Sequence, residues 1–213
     1  LAGALPAPAA DAYNLFAWLS ARLAPQDLPR LASSADTLRV ETLAEGLESP
    51  WAIVPAPDGR LFITERPGRL RVVRNGVLLP EPVGGLPAVA YRGQGGLLDM
   101  TLHPDYAQNR LVYIAYTVDA PQGMLTRVAR FEETPAGLRP VSVVFAGFPG
   151  SDKPKHFGCR IRFGADRKLY VTLGERGEGR RGQDLMDLNG KTLRLNEDGT
   201  GPADGAFGGR PDA

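Results

Sequence analysis

The chain has 213 residues, 43% hydrophobic and 23% charged, an ordinary globular composition with room for one domain or part of a larger one. Its 25 basic and 24 acidic residues leave a net charge of +1, which gives no electrostatic footprint for nucleic acid or a membrane surface. The single cysteine, Cys159, excludes an intrachain disulfide and a cysteine-based zinc cluster, without fixing the redox compartment.

Residues 1–10, L-A-G-A-L-P-A-P-A-A, resemble the tail of a secretory signal, with small residues in an A-x-A arrangement at Ala7-Pro8-Ala9. No charged n-region or full apolar core accompanies them, so an Ala/Pro linker reads equally well. Asp11 to Leu23 predicts a short helix capped by Asp11, with Leu15, Phe16, Trp18, Leu19 and Leu23 mostly on one side. It is too short to span a bilayer. Residues 1–37 are therefore read as a signal remnant or linker with a short helix, and residues 38–213 as the main fold.

From Leu38 the texture changes to short apolar runs broken by Gly, Pro and Asp, and one phrase recurs. It stands as P-D-G-R-L-F-I-T-E-R-P-G-R-L-R-V-V from Pro57, and as P-D-Y-A-Q-N-R-L-V-Y-I-A-Y from Pro104. Its third version is A-D-R-K-L-Y-V-T-L-G-E-R-G from Ala165, completed by G-K-T-L-R-L from Gly190. Each puts Asp in a turn before an apolar strand, and Asp58, Asp105 and Asp166 follow one another at 47 and 61 residues. A loose period of that size made only of strands predicts an all-β fold, a β-propeller. No long helical pattern of the kind a parallel α/β sheet needs occurs after residue 38. At roughly 40–50 residues per blade the chain holds about three blades. A ring needs at least four, so the chain is read as the N-terminal part of a larger one, inactive alone because an open ring leaves edge strands exposed.

The stretch from Pro154 to Gly177 is the richest in chemistry. It places His156 in a loop with Lys153, Lys155, Arg160 and Arg162, and a strand from Leu169 to Leu173 then delivers Glu175 at its far end. Cationic neighbours disfavour a second positive charge, which predicts a neutral imidazole available as a base, and they would attract a polyanion. A structural hydrogen-bonding role for His156 stays open at this point. In R-G-Q-G-G-L-L-D-M from Arg92, glycines beside Gln94 allow close approach of a ligand, or simply a tight turn that Gln94 caps. His103, in L-H-P-D-Y, is read as a turn hydrogen-bonder. G-E-G-R-R-G from Gly177 matches a dinucleotide fingerprint but lacks the helix such a site needs. N-E-D-G-T-G from Asn196 lacks the acidic twelfth residue of a calcium loop, since Phe207 stands there.

Taken together, P-W-A-I from Pro50, the Pro57 phrase, G-Q-G-G-L-L-D-M-T-L-H-P-D-Y from Gly93, K-H-F-G-C-R-I-R-F from Lys155 and G-E-R-G from Gly174 resemble the soluble sugar dehydrogenases that depend on pyrroloquinoline quinone (PQQ). These are the glucose/sorbosone or aldose sugar dehydrogenases, and the resemblance covers residues 38 to about 207. It implies a six-bladed propeller holding PQQ near its axis with calcium beside it, and oxidation of aldose sugars to lactones with electrons passed to an external acceptor. It also implies that His156 is the base that takes the proton of the anomeric hydroxyl, that Gln94 touches the cofactor, and that Glu175 orients His156. A periplasmic or secreted location is expected, with a homodimer as one arrangement left open.

Three departures stand out. Cys159 replaces the second glycine of H-F-G-G-R, where a side chain would narrow the pocket or tilt the backbone, and Asp204-G-A-F replaces N-P-F. The phrases that grip the quinone and bring the calcium ligands are absent, so no metal ligand is assigned and those ligands are expected beyond Ala213. A propeller lactonase and a non-catalytic sugar- or protein-binding module are the alternative readings.

Overall fold

The computed structural model describes residues 41–205. The expected helix at 11–23, the signal-like start, the boundary at 38 and Phe207 lie outside the described residues. The rest is built of three antiparallel meanders. The first sheet is β1 (Pro50–Pro55), β2 (Leu61–Glu65), β3 (Arg69–Arg74) and β4 (Val77–Leu78), in that order. The second is β5 (Leu97–Leu102), β6 (Leu111–Ala120), β7 (Gly123–Thr134) and β8 (Gly137–Ala146). The third is β9 (Gly158–Phe163), β10 (Leu169–Leu173) and β11 (Thr192–Leu195). The first strand of each sheet packs on the first strand of the next, β1 on β5 and β5 on β9, so these strands form the inner edge of the stack.

The repeated aspartates occupy one position in this plan, the connection from the first to the second strand of a sheet. Asp58 and Asp166 fold that turn in the same way: each carboxylate accepts the backbone N–H two residues on, from Arg60 at 3.2 Å and Lys168 at 3.1 Å. Asp105 instead precedes a short helix, α1 (Tyr106–Asn109), and pairs with Arg167 of the next sheet's turn. Six consecutive residues of β6, Val112 to Thr117, are buried, because the middle sheet is covered on both faces. Val112, Ile114 and Tyr116, with Phe131 of β7, cluster with Phe62 and Leu70 of the first sheet, while Tyr113 and Ala115 cluster with Ile161, Leu169 and Val171 of the third. The strand period of two thus sorts one apolar run into two cores.

The seam between β5 and β9 is polar at one point. Asp99 is fully buried and accepts hydrogen bonds from Ile161 N at 2.8 Å, Arg162 Nη1 at 2.9 Å and Arg160 Nη1 at 3.2 Å. Other carboxylates are also held by arginines: Glu65 by Arg69 at 2.7 Å, Asp187 by Arg181 at 2.6 Å, and Glu133 by Arg60 and Tyr106. In each of Glu65, Glu133 and Asp187 burial raises the carboxyl pKa, but the arginine hydrogen bond and its neighbours outweigh that and hold it below its ordinary 4.5 or 3.8. A depressed carboxyl adds stability that is complete above its unfolded value and is lost as pH falls through its folded one. The urea midpoint is therefore expected to stay level from pH 7 to about 5 and to fall steadily below about 4.5; titrating it at pH 7, 5, 4 and 3 checks this, and an unchanged midpoint at pH 3 contradicts it.

Candidate active site

β9 and β10 run antiparallel with Leu173 opposite Gly158, so the chain entering β9 and the chain leaving β10 lie at the same end of the sheet. His156 stands two residues before β9 and Glu175 two residues after β10. That register brings His156 Nδ1 to 2.6 Å from Glu175 Oε1. Gln94 precedes β5, the strand that packs on β9, and its loop meets the loop of His156. Gln94 Oε1 accepts a hydrogen bond from His156 N at 2.8 Å, and Gln94 N donates one to Pro154 O at 2.9 Å. The three residues singled out in the sequence are thus in mutual contact through His156.

His156 has φ +53°, a left-handed backbone that a non-glycine residue holds only with support. Support comes from both sides of the residue, from Gln94 on its N–H and from Arg176 Nη1 on its carbonyl at 2.7 Å. The imidazole itself is open, with 46% of the side chain exposed against 30% for Glu175. Glu175 lies below the usual carboxylate range, chiefly because His156 hydrogen-bonds to it, and Gly177 N also donates to its Oε1 at 3.0 Å. An ionised carboxylate can only accept, so Nδ1 carries the hydrogen, and Nε2 of the neutral ring is the basic nitrogen.

The cations around His156 behave differently from the expectation. Arg160 and Arg162 turn to Asp99, and Lys153 pairs with Glu178 at 3.3 Å. The Lys155 side chain lies over Gly177, where an added Cβ would come within 2.4 Å of its Cε. The charged group in contact with the imidazole is therefore a carboxylate, because strand alternation and the β5–β9 seam direct the arginines away. The glycines beside Gln94 make room for protein rather than for a ligand. A Cβ on Gly93 would stand 2.1 Å from Pro154 O, one on Gly95 2.6 Å from Met124 Cε, and one on Gly96 2.2 Å from Arg66 O. Cys159 does not line a pocket: it is buried with Phe157 and Ile161 in the core, and burial pushes its thiol far up.

Two arginines at this end carry roles that the sequence reading missed. Arg66, just after β2, donates to the carbonyls of Gly93 and Gly95 on either side of Gln94 and lies over the Tyr91 ring. Arg176 holds the carbonyl of His156. Their signal is the Glu-Arg pair at the end of the second strand in T-E-R-P-G and just after it in G-E-R-G. His103 sits at the other end of β5, where Nδ1 accepts from Asp105 N at 3.0 Å and Asn109 Nδ2 at 2.7 Å while Nε2 donates to Glu197 at 2.8 Å. Its hydrogen-bonding capacity is used up between its own turn and Glu197, beyond β11. A polar groove of about 420 Å³ is lined by Gln122, Ser151, Lys153, Glu178, Arg181 and Asp187, and His156 is not part of its wall. Among the described residues no group of three or more His, Cys, Asp or Glu side chains is placed to hold a metal ion. No helix among them is long and apolar enough to cross a membrane.

The sequence pattern of the family described as Glucose / Sorbosone dehydrogenase matches residues 47–213. The chain belongs to the glucose/sorbosone dehydrogenase family. Among its relatives, Aldose sugar dehydrogenase YliI of Escherichia coli strain K12 is 36% identical over 175 residues, covering 80% of this chain and 47% of that protein. The crystal structure of the soluble aldose sugar dehydrogenase from Escherichia coli in its apo-form aligns with TM-score 0.75 at 34% identity, over 81% of this chain and 52% of that one. The PQQ-bound aldose sugar dehydrogenase from Streptomyces coelicolor aligns with TM-score 0.72 at 34% identity, over 81% and 52%. The chain spans about half the length of the curated relatives it matches. The all-β expectation holds, and the antiparallel sheets of this member of the family match those of PQQ-type propeller dehydrogenases.

Proposed function

We propose that the full-length protein oxidises aldose sugars at the anomeric carbon to lactones, with PQQ as its cofactor, and that the described residues supply the base. The observation that carries this reading is the exposed imidazole of His156 held by Glu175 at 2.6 Å, with Nε2 directed by tautomer to be the proton acceptor. The donor set suits a tricarboxylated quinone. Lys153 and Lys155 are exposed on the same loop as His156, and Gln94, whose oxygen is engaged by His156 N, has its amide N–H groups to offer. PQQ, when bound, supplies an acceptor for the hydride leaving the sugar's C1. His156 Nε2 takes the proton of the anomeric hydroxyl as that hydride departs. Glu175 steadies the imidazolium that results, and Arg66 and Gly93 keep Gln94 against the histidine loop.

The finer parts of the reading are a closed six-bladed ring, calcium beside the cofactor with ligands outside residues 41–205, an external electron acceptor, and a periplasmic or secreted location. The test is dye reduction by the full-length protein with PQQ, calcium and an aldose. Reduction that requires both quinone and sugar is expected. Sugar or protein binding with no turnover would favour a binding module instead.

A further inference from the structure

The side chain that holds the His156 loop is itself unusual. Arg176 is only 1% exposed and, among the described residues, forms no ion pair. Nη1 donates to two carbonyls, His156 O at 2.7 Å and Gly174 O at 2.8 Å, and Nη2 donates to Thr126 Oγ1 on β7 at 2.9 Å. The guanidinium carbon lies 4.3 Å from the centre of the Phe157 ring, and Nε is buried with no hydrogen-bond partner. Burial pushes its pKa down to about 10. A guanidinium buried without a carboxylate is costly to keep, and an apolar side chain would fill the same core space at less cost. The two carbonyls it joins belong to His156 and to the residue immediately before Glu175.

We propose that Arg176 is a positioning residue: it staples the backbone of the base to the strand end that carries its orienting carboxylate, anchored behind by Thr126. One nitrogen binding both carbonyls fixes the separation of the two backbone segments, so the His156–Glu175 hydrogen bond is set by a third side chain. A cation–π contact with Phe157, the residue after His156, adds a further hold on the guanidinium. This inference rests on the dehydrogenase reading for its effect on catalysis, and on geometry alone for its effect on the imidazole.

The experiment uses the full-length protein and two readouts. In the apo-protein, nitrogen-edited NMR of the imidazole, assigned by difference with His156→Ala, reports the hydrogen-bonded Nδ1–H. In the PQQ-loaded protein, steady-state kinetics report kcat and KM. Arg176→Gln is expected to lose the Nδ1–H signal and to lower kcat on the order of 10- to 100-fold, the usual worth of a partner that orients a histidine. KM for the aldose should stay within about twofold. Arg176→Lys, whose ammonium can still reach both carbonyls, should recover most of the signal and of kcat. Thr126→Val removes the rear anchor alone; it should weaken the signal, and it decides the matter if Arg176→Gln does not fold. An unchanged Nδ1–H signal in folded Arg176→Gln, or in Thr126→Val where the former is unfolded, overturns the staple whatever the activity. A lost signal combined with no sugar oxidation by the unsubstituted protein supports the staple and overturns the dehydrogenase reading instead.

Discussion

Replacing His156 with alanine is expected to lower kcat of the full-length protein by a factor of about 10³, within the range a positioned general base supplies, and to leave the fold in place. The loss follows from Nε2: no other imidazole among the described residues is free for this work, since His103 is bonded at Nδ1 within its own turn and at Nε2 to Glu197, beyond β11. Retention of the fold follows from what holds the residue. Gln94 and Arg176 bind the backbone N–H and carbonyl of position 156, and alanine keeps both groups. The left-handed backbone costs alanine about what it costs histidine, roughly 1–2 kcal/mol, and the half-exposed ring contributes little burial. Steady-state kinetics beside a melting curve check the two halves of this expectation. A kcat within about tenfold of the unsubstituted protein would remove His156 from the mechanism.

Gly174→Ala is expected to damage both stability and activity, by about 3 kcal/mol for an overpacked site that cannot relax and by a loss of kcat similar to that of His156→Ala. Gly174 has an ordinary negative-φ backbone, so the effect is purely one of space. A Cβ there would lie 1.9 Å from His156 O and 2.6 Å from its carbonyl carbon. These are backbone atoms fixed from the other side by Arg176, so the strand end and the histidine loop must separate. Separation breaks the hydrogen bond from Gly174 N to Phe157 O and pulls Glu175 away from His156. Gly182→Ala is the control, since its Cβ would meet nothing nearer than 3.7 Å. Urea denaturation and kcat for both variants test the argument. Equal behaviour of the two would mean that the approach of Gly174 to His156 is not needed.

Much of this was legible in the chain before any tertiary contact was known. The strands, the recurring turn aspartates and the absence of long helices in the main fold are local matters. Asp58 and Asp166 fold their turns with their own side chains, and the alternation of β6 is written in consecutive residues. The nearness of Glu175 to His156 was implied by the family resemblance, and the register of β9 on β10 gives its physical reason. Once a two-strand antiparallel hairpin is recognised, its two open ends must lie together.

What only the tertiary structure decided depends on packing between sheets and on the direction of side chains. Gln94 and His156 are 62 residues apart, and their contact exists because β5 lies on β9. The same seam draws Arg160 and Arg162 to the buried Asp99, a sink for charge that residue types alone do not reveal, and so takes two of the four expected cations away from His156. The glycines near Gln94 answer to Pro154, Met124 and Arg66 from other parts of the chain. Cys159 points into the core, since β9 turns alternate residues inward. Residue type alone does not single out Arg176, which stands in a glycine-rich stretch. Its left-handed backbone, φ +61°, accompanies a side chain directed under the histidine, a conformation that neighbouring sequence does not determine and that the closed packing around Phe157 and Thr126 does.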